Sequence, residues 1–289
     1  MATLNLSIKR ATIEDYPKLY NFYDAVYPDL HPLKNIDFWK WQYADPEYGT
    51  SYIVQNDEEV LGHVGAYFNG GVAWIINVYL KVSARGHGFL RQLYNMARED
   101  YINLGATSAN DAGLGLYRNM KWYRYSNLER LICFNPAFDH SDILSILKPI
   151  PSHALASPQD NIYWKQPGIH GHMLRDGSTG ISQFDIGGFR IVDIKNMEQA
   201  TSELWSLGYK WIDYVTSWND LNIRLLAKNE WISDDQAKLP WYLNPIDQTK
   251  KFRVSFLSEN PLQRDFVCNR KFSDHGRVGK LPNKKHSDS

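Results

Sequence analysis

The stretch from Val72 to Asp100 constrains the fold more than any other part of the chain. "VAWIINVYLKV" is apolar and rich in β-branched and aromatic residues, the pattern of a buried strand. "ARGHG" follows, and "FLRQLYNMARED" then carries apolar residues at helical spacing. So a strand ends, the chain turns through Arg85-Gly86-His87-Gly88, and a helix begins. Glycine at such a junction lets the backbone turn its N–H groups outward and approach a ligand closely. A helix starting there adds the positive end of its dipole. Phosphate is the ligand chemistry that suits this arrangement, and a pyrophosphate would use several N–H groups together. A plain glycine turn with no ligand is the bland alternative, and the motif alone does not separate the two.

The surrounding order narrows the choice. Thr12 with Asp15 three residues on marks a helix N-terminus, with Pro17 in its first turns and Leu19, Phe22, Tyr23 and Val26 at helical spacing. "NIDFWKWQYADPEYG" reads as a second, aromatic helix. "TSYIVQ" and "EVLGHVGAYF" read as strands, and "NGG" at 69–71 as a hairpin turn into the strand above. After the glycine turn come a helix ending at Gly105, a short strand "ATSAN", a helix "DAGLGLYRNMKW" and a strand "YRYSNLERLICF". The connection at 136–160 holds Pro, Ser and Asp and is the best boundary. Strand, helix, strand, helix, strand then recurs. "SANDAGLGLYRNMKW" and "TSWNDLNIRLLAKNEW" match in detail, which points to an internal duplication over two unrelated α/β domains.

Composition excludes several classes. Thirty-two basic residues balance thirty-two acidic ones, which gives no footprint for nucleic acid or an anionic membrane. No apolar run reaches a membrane span of ~20 residues, and "MATLNLSIKRAT" lacks a signal-peptide core. Cys133 and Cys268 form neither a disulfide framework nor a zinc set. His170 and His172 share a strand face, but no third metal ligand is apparent, so no metal is expected. A cytoplasmic location is expected.

Residues 7–134 resemble the GNAT superfamily of CoA-dependent N-acyltransferases. That family follows a strand with Arg or Gln, two residues, Gly, one residue, then Gly or Ala. Arg85 and Gly88 match, and Leu90 departs from the last position. The later signature, Asn, a small residue, then Leu-Tyr, is met by Asn110, Gly113 and Leu116-Tyr117. The resemblance implies an α/β (α+β) GNAT fold, a central mixed sheet flanked by helices, here in two tandem GNAT-like domains. It implies that N–H groups of Gly86, His87, Gly88, Phe89 and Leu90 hold the CoA pyrophosphate, with Arg85, Val82 and Asn110 beside them. Pantetheine would pair in a splayed gap along strand 74–82, where a main-chain N–H near Leu80 would polarise the thioester carbonyl. Tyr117 would protonate the departing thiolate. The attacking amine must lose a proton. The strand before the turn offers Trp74, Asn77 and Tyr79 and nothing that titrates near neutrality, so Asn77 joins the catalytic set as a polar group. His63 on the preceding strand is the candidate base, beside water-mediated deprotonation.

The expected division is 1–136 for the CoA-binding catalytic domain, 137–160 for the linker, 161–275 for a degenerate GNAT-like domain that binds acceptor, and 276–289 for a polar, disordered tail. "FRIVDI" runs into "KNMEQATSELW" with no glycine pair, so a second CoA is not expected. Asp213, Trp218 and Asp274 are the exposed acceptor candidates. The two-part plan, with "FWKWQYADPEYG" and the ending "KFSDHGRVGKLPN", resembles bacterial acyltransferases of nucleotide-linked amino sugars. That resemblance implies transfer of an acetyl or 3-hydroxybutanoyl group from its CoA thioester to a dTDP-3-amino-3,6-dideoxyhexose for surface polysaccharide (lipopolysaccharide O-antigen), with a homodimer compatible. Another small amine, an aminoglycoside, a thiol precursor, or a CoA-binding module without turnover are the alternatives.

Overall fold

The computed structural model describes residues 6–108, 111–158, 161–226, 230–236, 239–240, 253–273 and 276–285. The first half runs β1 (Ser7–Arg10), α1 (Tyr16–Val26), α2 (Ile36–Tyr43), β2 (Gly49–Gln55), β3 (Val60–Asn69), β4 (Val72–Leu80), α3 (Phe89–Asp100), β5 (Leu104–Ser108), α4 (Asp111–Asn119), β6 (Tyr123–Asn127) and β7 (Glu129–Phe134). The second runs α5 (Ile143–Ile146), β8 (Gly171–Met173), β9 (Thr179–Gln183), β10 (Gly188–Asp193), α6 (Met197–Ser206), β11 (Trp211–Thr216), α7 (Asn222–Leu226), β12 (Ile232–Ser233) and β13 (Ser255–Ser258).

Local chemistry sets several of these boundaries. The Thr12 N–H donates to the Asp15 carboxylate at 2.9 Å, which closes the capping box ahead of α1. Gly70 and Gly71 both take positive φ, 64° and 76°, and carry β3 back into β4. The Asn35 side chain accepts from the Asp37 and Phe38 N–H groups and caps α2.

The strands form two sheets, β1-β2-β3-β4-β5-β13-β6 and β12-β7-β11-β10-β9-β8. The order in each is the same motif: an antiparallel meander, a helical crossover to a parallel strand, then two antiparallel strands. Thr107-Ser108 and Thr216-Ser217, which open the matched "TSAND" and "TSWND" stretches, stand at equivalent places, at the ends of β5 and β11. One strand of each sheet comes from the other half. β13 pairs with β5 and β6 in the first sheet, while β7 pairs with β11 and β12 in the second. The two crossing strands pass each other where the Leu128 N–H donates to the Val254 carbonyl at 2.7 Å.

This exchange means that 1–136 does not contain its whole sheet, and that 161–275 does not contain all of its own. The stretch from 137 to 160 is also more than a connector. It contributes α5, whose Ile146 is fully buried against Ile132, Ile186 and Trp211. The ending is packed rather than disordered over 276–285: Val278 is buried in the aromatic core of the first half. That core holds Trp39, Tyr67 and Trp74, each worth on the order of 2–3 kcal/mol of apolar burial.

Candidate active site

β4 and β5 pair only at Ala73–Leu104, Trp74–Gly105 and Ile75–Ala106. β4 continues to Leu80, but β5 does not follow it. The divergence starts at an irregularity in β4. Asn77 has φ of 52°, and the register against β3 shifts between His63 and Gly65. A left-handed non-glycine residue inside a strand persists only where its surroundings hold it. The His63 Nδ1–H donates to the Asn77 carbonyl at 2.8 Å, and the Tyr43 hydroxyl donates to Asn77 Oδ1 at 3.0 Å. Gly65 leaves room for Tyr43, since a Cβ there would lie 2.0 Å from its hydroxyl.

The gap opens into a cavity of about 780 Å³. Ile76, Asn77, Val78, Tyr79 and Leu80 of β4 line it, with Thr107 and Tyr117 from β5 and α4, Arg85 and Leu90 from the turn, and Tyr27, whose ring lies 6.2 Å from that of Tyr79. Among these lining residues the titratable side chains are Tyr27, Tyr79, Arg85 and Tyr117.

Gly86 and Gly88 take φ of 82° and 76°, and an added Cβ at either would meet no atom within 4 Å. Both glycines and His87 are exposed, and Gly88 occupies the N-cap of α3 without a capping side chain. The first N–H groups of a helix have no acceptor inside it. Here Phe89 and Leu90 present theirs with no acidic residue in the first turn to neutralise the dipole. Arg85 Nε donates to the Leu80 carbonyl at 3.2 Å, which sets its guanidinium beside the Tyr79 ring. Val82 is 76% exposed on the short turn before it. The equivalent junction in the second half is closed. Asn196 caps α6 by accepting from the Gln199 N–H and Glu198 sits in its first turn, although β10–β11 pairing also ends at Ile191, before the end of β10.

Tyr117 is 5% exposed, packed on Trp122 with ring centroids 4.7 Å apart. The Tyr94 hydroxyl donates to the Tyr117 oxygen at 3.2 Å. Burial raises the Tyr94 pKa well above the usual tyrosine value, so it remains a donor. This bond fixes the Tyr117 hydroxyl at the cavity wall.

Two expectations are corrected. His63 does not line the cavity. It is fully buried, its Nε2 accepts from Ser51 Oγ at 3.0 Å, and burial lowers its pKa to about 4. Its Nδ1–H bond holds the Asn77 carbonyl at the strand irregularity. Asp213 is also fully buried and faces no ligand space. Arg130 Nε, Arg190 Nη1 and Arg270 Nη2 donate to Asp213 Oδ2 at 2.9, 2.6 and 3.0 Å. Burial opposes its charge, but the Arg270, Arg190 and Arg130 guanidiniums hold its pKa below the usual carboxylate value. Arg130 and Arg190 also donate to the Pro240 carbonyl. Trp218 is 64% exposed on the loop after β11. Asn110 and Asp274 lie outside the described residues.

Sequence reasoning missed Tyr27, Thr107 and Tyr94. Tyr94 was accessible, since it lies four residues after Leu90 on one helix face. Nothing local marks Tyr27 as a cavity residue. Among the described residues no helix is long and apolar enough to cross a membrane, and no group of three or more His, Cys, Asp or Glu is placed to hold a metal.

Residues 16–122 match the family model described as the acetyltransferase (GNAT) family. A crystal structure from Pyrococcus horikoshii, of a protein described as a candidate acetyltransferase, superposes with a TM-score of 0.53 at 13% identity, covering 97% of this chain and 98% of that one. A conserved Enterococcus faecalis protein, described as a probable N-acyltransferase, gives a TM-score of 0.51 at 12% identity, over 87% of this chain and 72% of the other. A tandem GNAT protein of the clavulanic acid pathway is 13% identical, covering 90% of this chain and all of the other, with a TM-score of 0.49. Curated proteins gave no match. The first two likenesses show a shared fold across most of the chain, and the stretch matched by the family model includes the open glycine turn.

Proposed function

We propose that the chain is an acyl-CoA-dependent N-acyltransferase, with the acyl donor held in the gap between β4 and β5. The observation that carries this is the joint placement of three features on one cavity: the strand divergence at Asn77, the open glycine turn at the head of α3, and Tyr117 on the facing wall. N–H groups from Gly86 to Leu90 would hold the pyrophosphate, with Arg85 as a charged donor. The free edge of β4 would pair with pantetheine, and a main-chain N–H near Leu80 would polarise the thioester carbonyl. The amine nitrogen attacks that carbonyl, the C–S bond breaks, and the thiolate takes the Tyr117 proton. Water takes the proton that the amine gives up, since His63 is out of reach. The closed α6 junction favours one donor site per chain.

The acceptor proposed is a nucleotide-linked amino sugar such as a dTDP-3-amino-3,6-dideoxyhexose, receiving an acetyl or 3-hydroxybutanoyl group for surface polysaccharide. Its support is the sequence resemblance and the tyrosines that line the cavity, Tyr27 and Tyr79 beside Tyr117. Trp218, exposed and free to stack, and Asp274 remain the proposed acceptor contacts of the second half. A cytoplasmic location fits the supply of both substrates, and a homodimer is compatible with it. Thiol release from acetyl-CoA and 3-hydroxybutanoyl-CoA, measured against dTDP- and UDP-amino sugars, aminoglycosides and simple amines, tests the reading. Turnover is expected with a 3-amino dTDP-sugar. Turnover with simple amines alone would remove the sugar assignment and keep the transferase, and no turnover with any amine would overturn both.

A further inference from the structure

The segment 277–285 crosses back from the second half and lies along the loop between α1 and α2. The Leu281 N–H donates to the Leu30 carbonyl at 2.8 Å, and the Lys284 N–H to the Lys34 carbonyl at 3.1 Å. The Ile36 N–H returns a bond to the Lys284 carbonyl at 3.0 Å, and the Asn35 amide donates to the Pro282 carbonyl at 3.0 Å. Asn35 and Lys284 thereby form a parallel bridge. The segment is anchored before it reaches the loop. The Arg277 guanidinium lies 4.0 Å from the Tyr67 ring centroid, 5.0 Å from Trp41 and 5.5 Å from Tyr163, a cage drawn from both halves. The Val278 N–H donates to Gln166 Oε1.

The loop so held begins at Tyr27, which lines the cavity. His31 stacks on Tyr27 with centroids 4.0 Å apart and planes 8° from parallel. Tyr27 lines the cavity and meets the Tyr79 ring at 6.2 Å. Leu30 takes φ of 63°, a conformation that a bulky residue holds only when its surroundings impose it. The bond from Leu281 falls on the carbonyl of that residue. An unbroken series of contacts therefore runs from the Arg277 cage, through the backbone ladder, to Tyr27.

We propose that residues 281–285 are a positioning strap: they set the loop at 27–36 so that Tyr27 walls the acceptor side of the cavity, and they determine acceptor affinity without touching the acceptor. This rests on the transferase reading, and it gives the second half a part in the site that needs no ligand of its own. Among the described residues, the backbone bonds of the strap fall on Leu30, Lys34 and Ile36 and none on Gly86 or Gly88, so the donor end is expected to be left unchanged.

The test uses the full chain with Leu281→Pro or Lys284→Pro, each of which removes one donating N–H, and Lys284→Ala, which keeps it. Both proline variants should speed amide exchange at 30–36 at least tenfold and raise KM for the best amine of the acceptor panel at least fivefold. Their kcat and acetyl-CoA Kd should stay within twofold, and Lys284→Ala should match the unaltered protein in all four quantities. Unchanged exchange in both proline variants overturns the proposal. So does faster exchange with unchanged acceptor KM, which would leave the strap a structural tie alone, and so does an equal loss of acetyl-CoA affinity. If the unaltered protein acylates no amine, the transferase reading falls by that result, and the exchange rates still decide whether the strap holds the loop.

Discussion

Replacing Gly88 by valine separates backbone strain from ligand approach, because the fold supplies its own control. Gly88 and Gly71 share φ of 76°, and at neither would an added Cβ meet an atom within 4 Å. Gly71 lies in the hairpin turn between β3 and β4, whereas Gly88 caps α3 at the open junction. A β-branched residue in that backbone region costs on the order of 1–3 kcal/mol. For a chain of this size that lowers Tm by roughly 2 °C per kcal/mol. Both variants should therefore fold and melt a few degrees early, by similar amounts. Only at position 88 does the new side chain occupy the approach to the N–H groups of α3. Losing two hydrogen bonds to a charged phosphate, at roughly 1.5–3 kcal/mol each, removes at least ~3 kcal/mol of binding. That corresponds to about a hundredfold or greater loss of affinity. Calorimetric titration of acetyl-CoA should show this loss in Gly88→Val and none in Gly71→Val. Equal affinities in the two folded variants would refute the phosphate role of the turn.

Tyr117→Phe should lower kcat by about 10²–10⁴-fold, the usual effect of losing a general acid, with acetyl-CoA Kd unchanged by calorimetry. Asp213→Asn should cost on the order of 3–5 kcal/mol of stability, because Arg130, Arg190 and Arg270 lose the buried charge they share. Urea midpoints would show it, and a shift in acceptor KM without destabilisation would restore Asp213 to the site. His63 has a folded-state pKa of about 4 against an ordinary value of 6.5. The unfolded chain therefore binds the extra proton first as pH falls, and stability is lost between about pH 6.5 and 4, by roughly 3 kcal/mol from this group. His63→Gln should flatten that part of the urea-midpoint profile.

The parts of the fold written in short-range pattern were legible. The alternation of β2 to β4, the "NGG" hairpin, the Thr12–Asp15 cap and the strand–glycine–helix junction each depend on residues within a few positions of one another. The strand exchange does not. "ERLICF" and "SFLS" read as strands, but which sheet accepts them is set by partners more than a hundred residues away in the case of β13 and β6, and nothing in an apolar strand names its partner. His63 and Asp213 were misplaced for a related reason. Each stands in a run of buried strand residues, and a polar side chain there is tied up by fixed partners more often than it faces a ligand. For Asp213 the signal was present. Arg190 stands among apolar neighbours, as Asp213 does, and burying charged groups requires that they meet. The packed ending was hidden because its apolar anchors are only Val278 and Leu281, and a guanidinium among aromatic rings and a short backbone ladder carry the rest.

On the proposed reading, two related sheets share one donor site, at the open turn of the first half. Native mass spectrometry of the full chain titrated with acetyl-CoA tests it most directly. One bound molecule per chain, lost in Gly88→Val and kept in Gly71→Val, is the predicted result. Two bound molecules, or one that survives Gly88→Val, would contradict it.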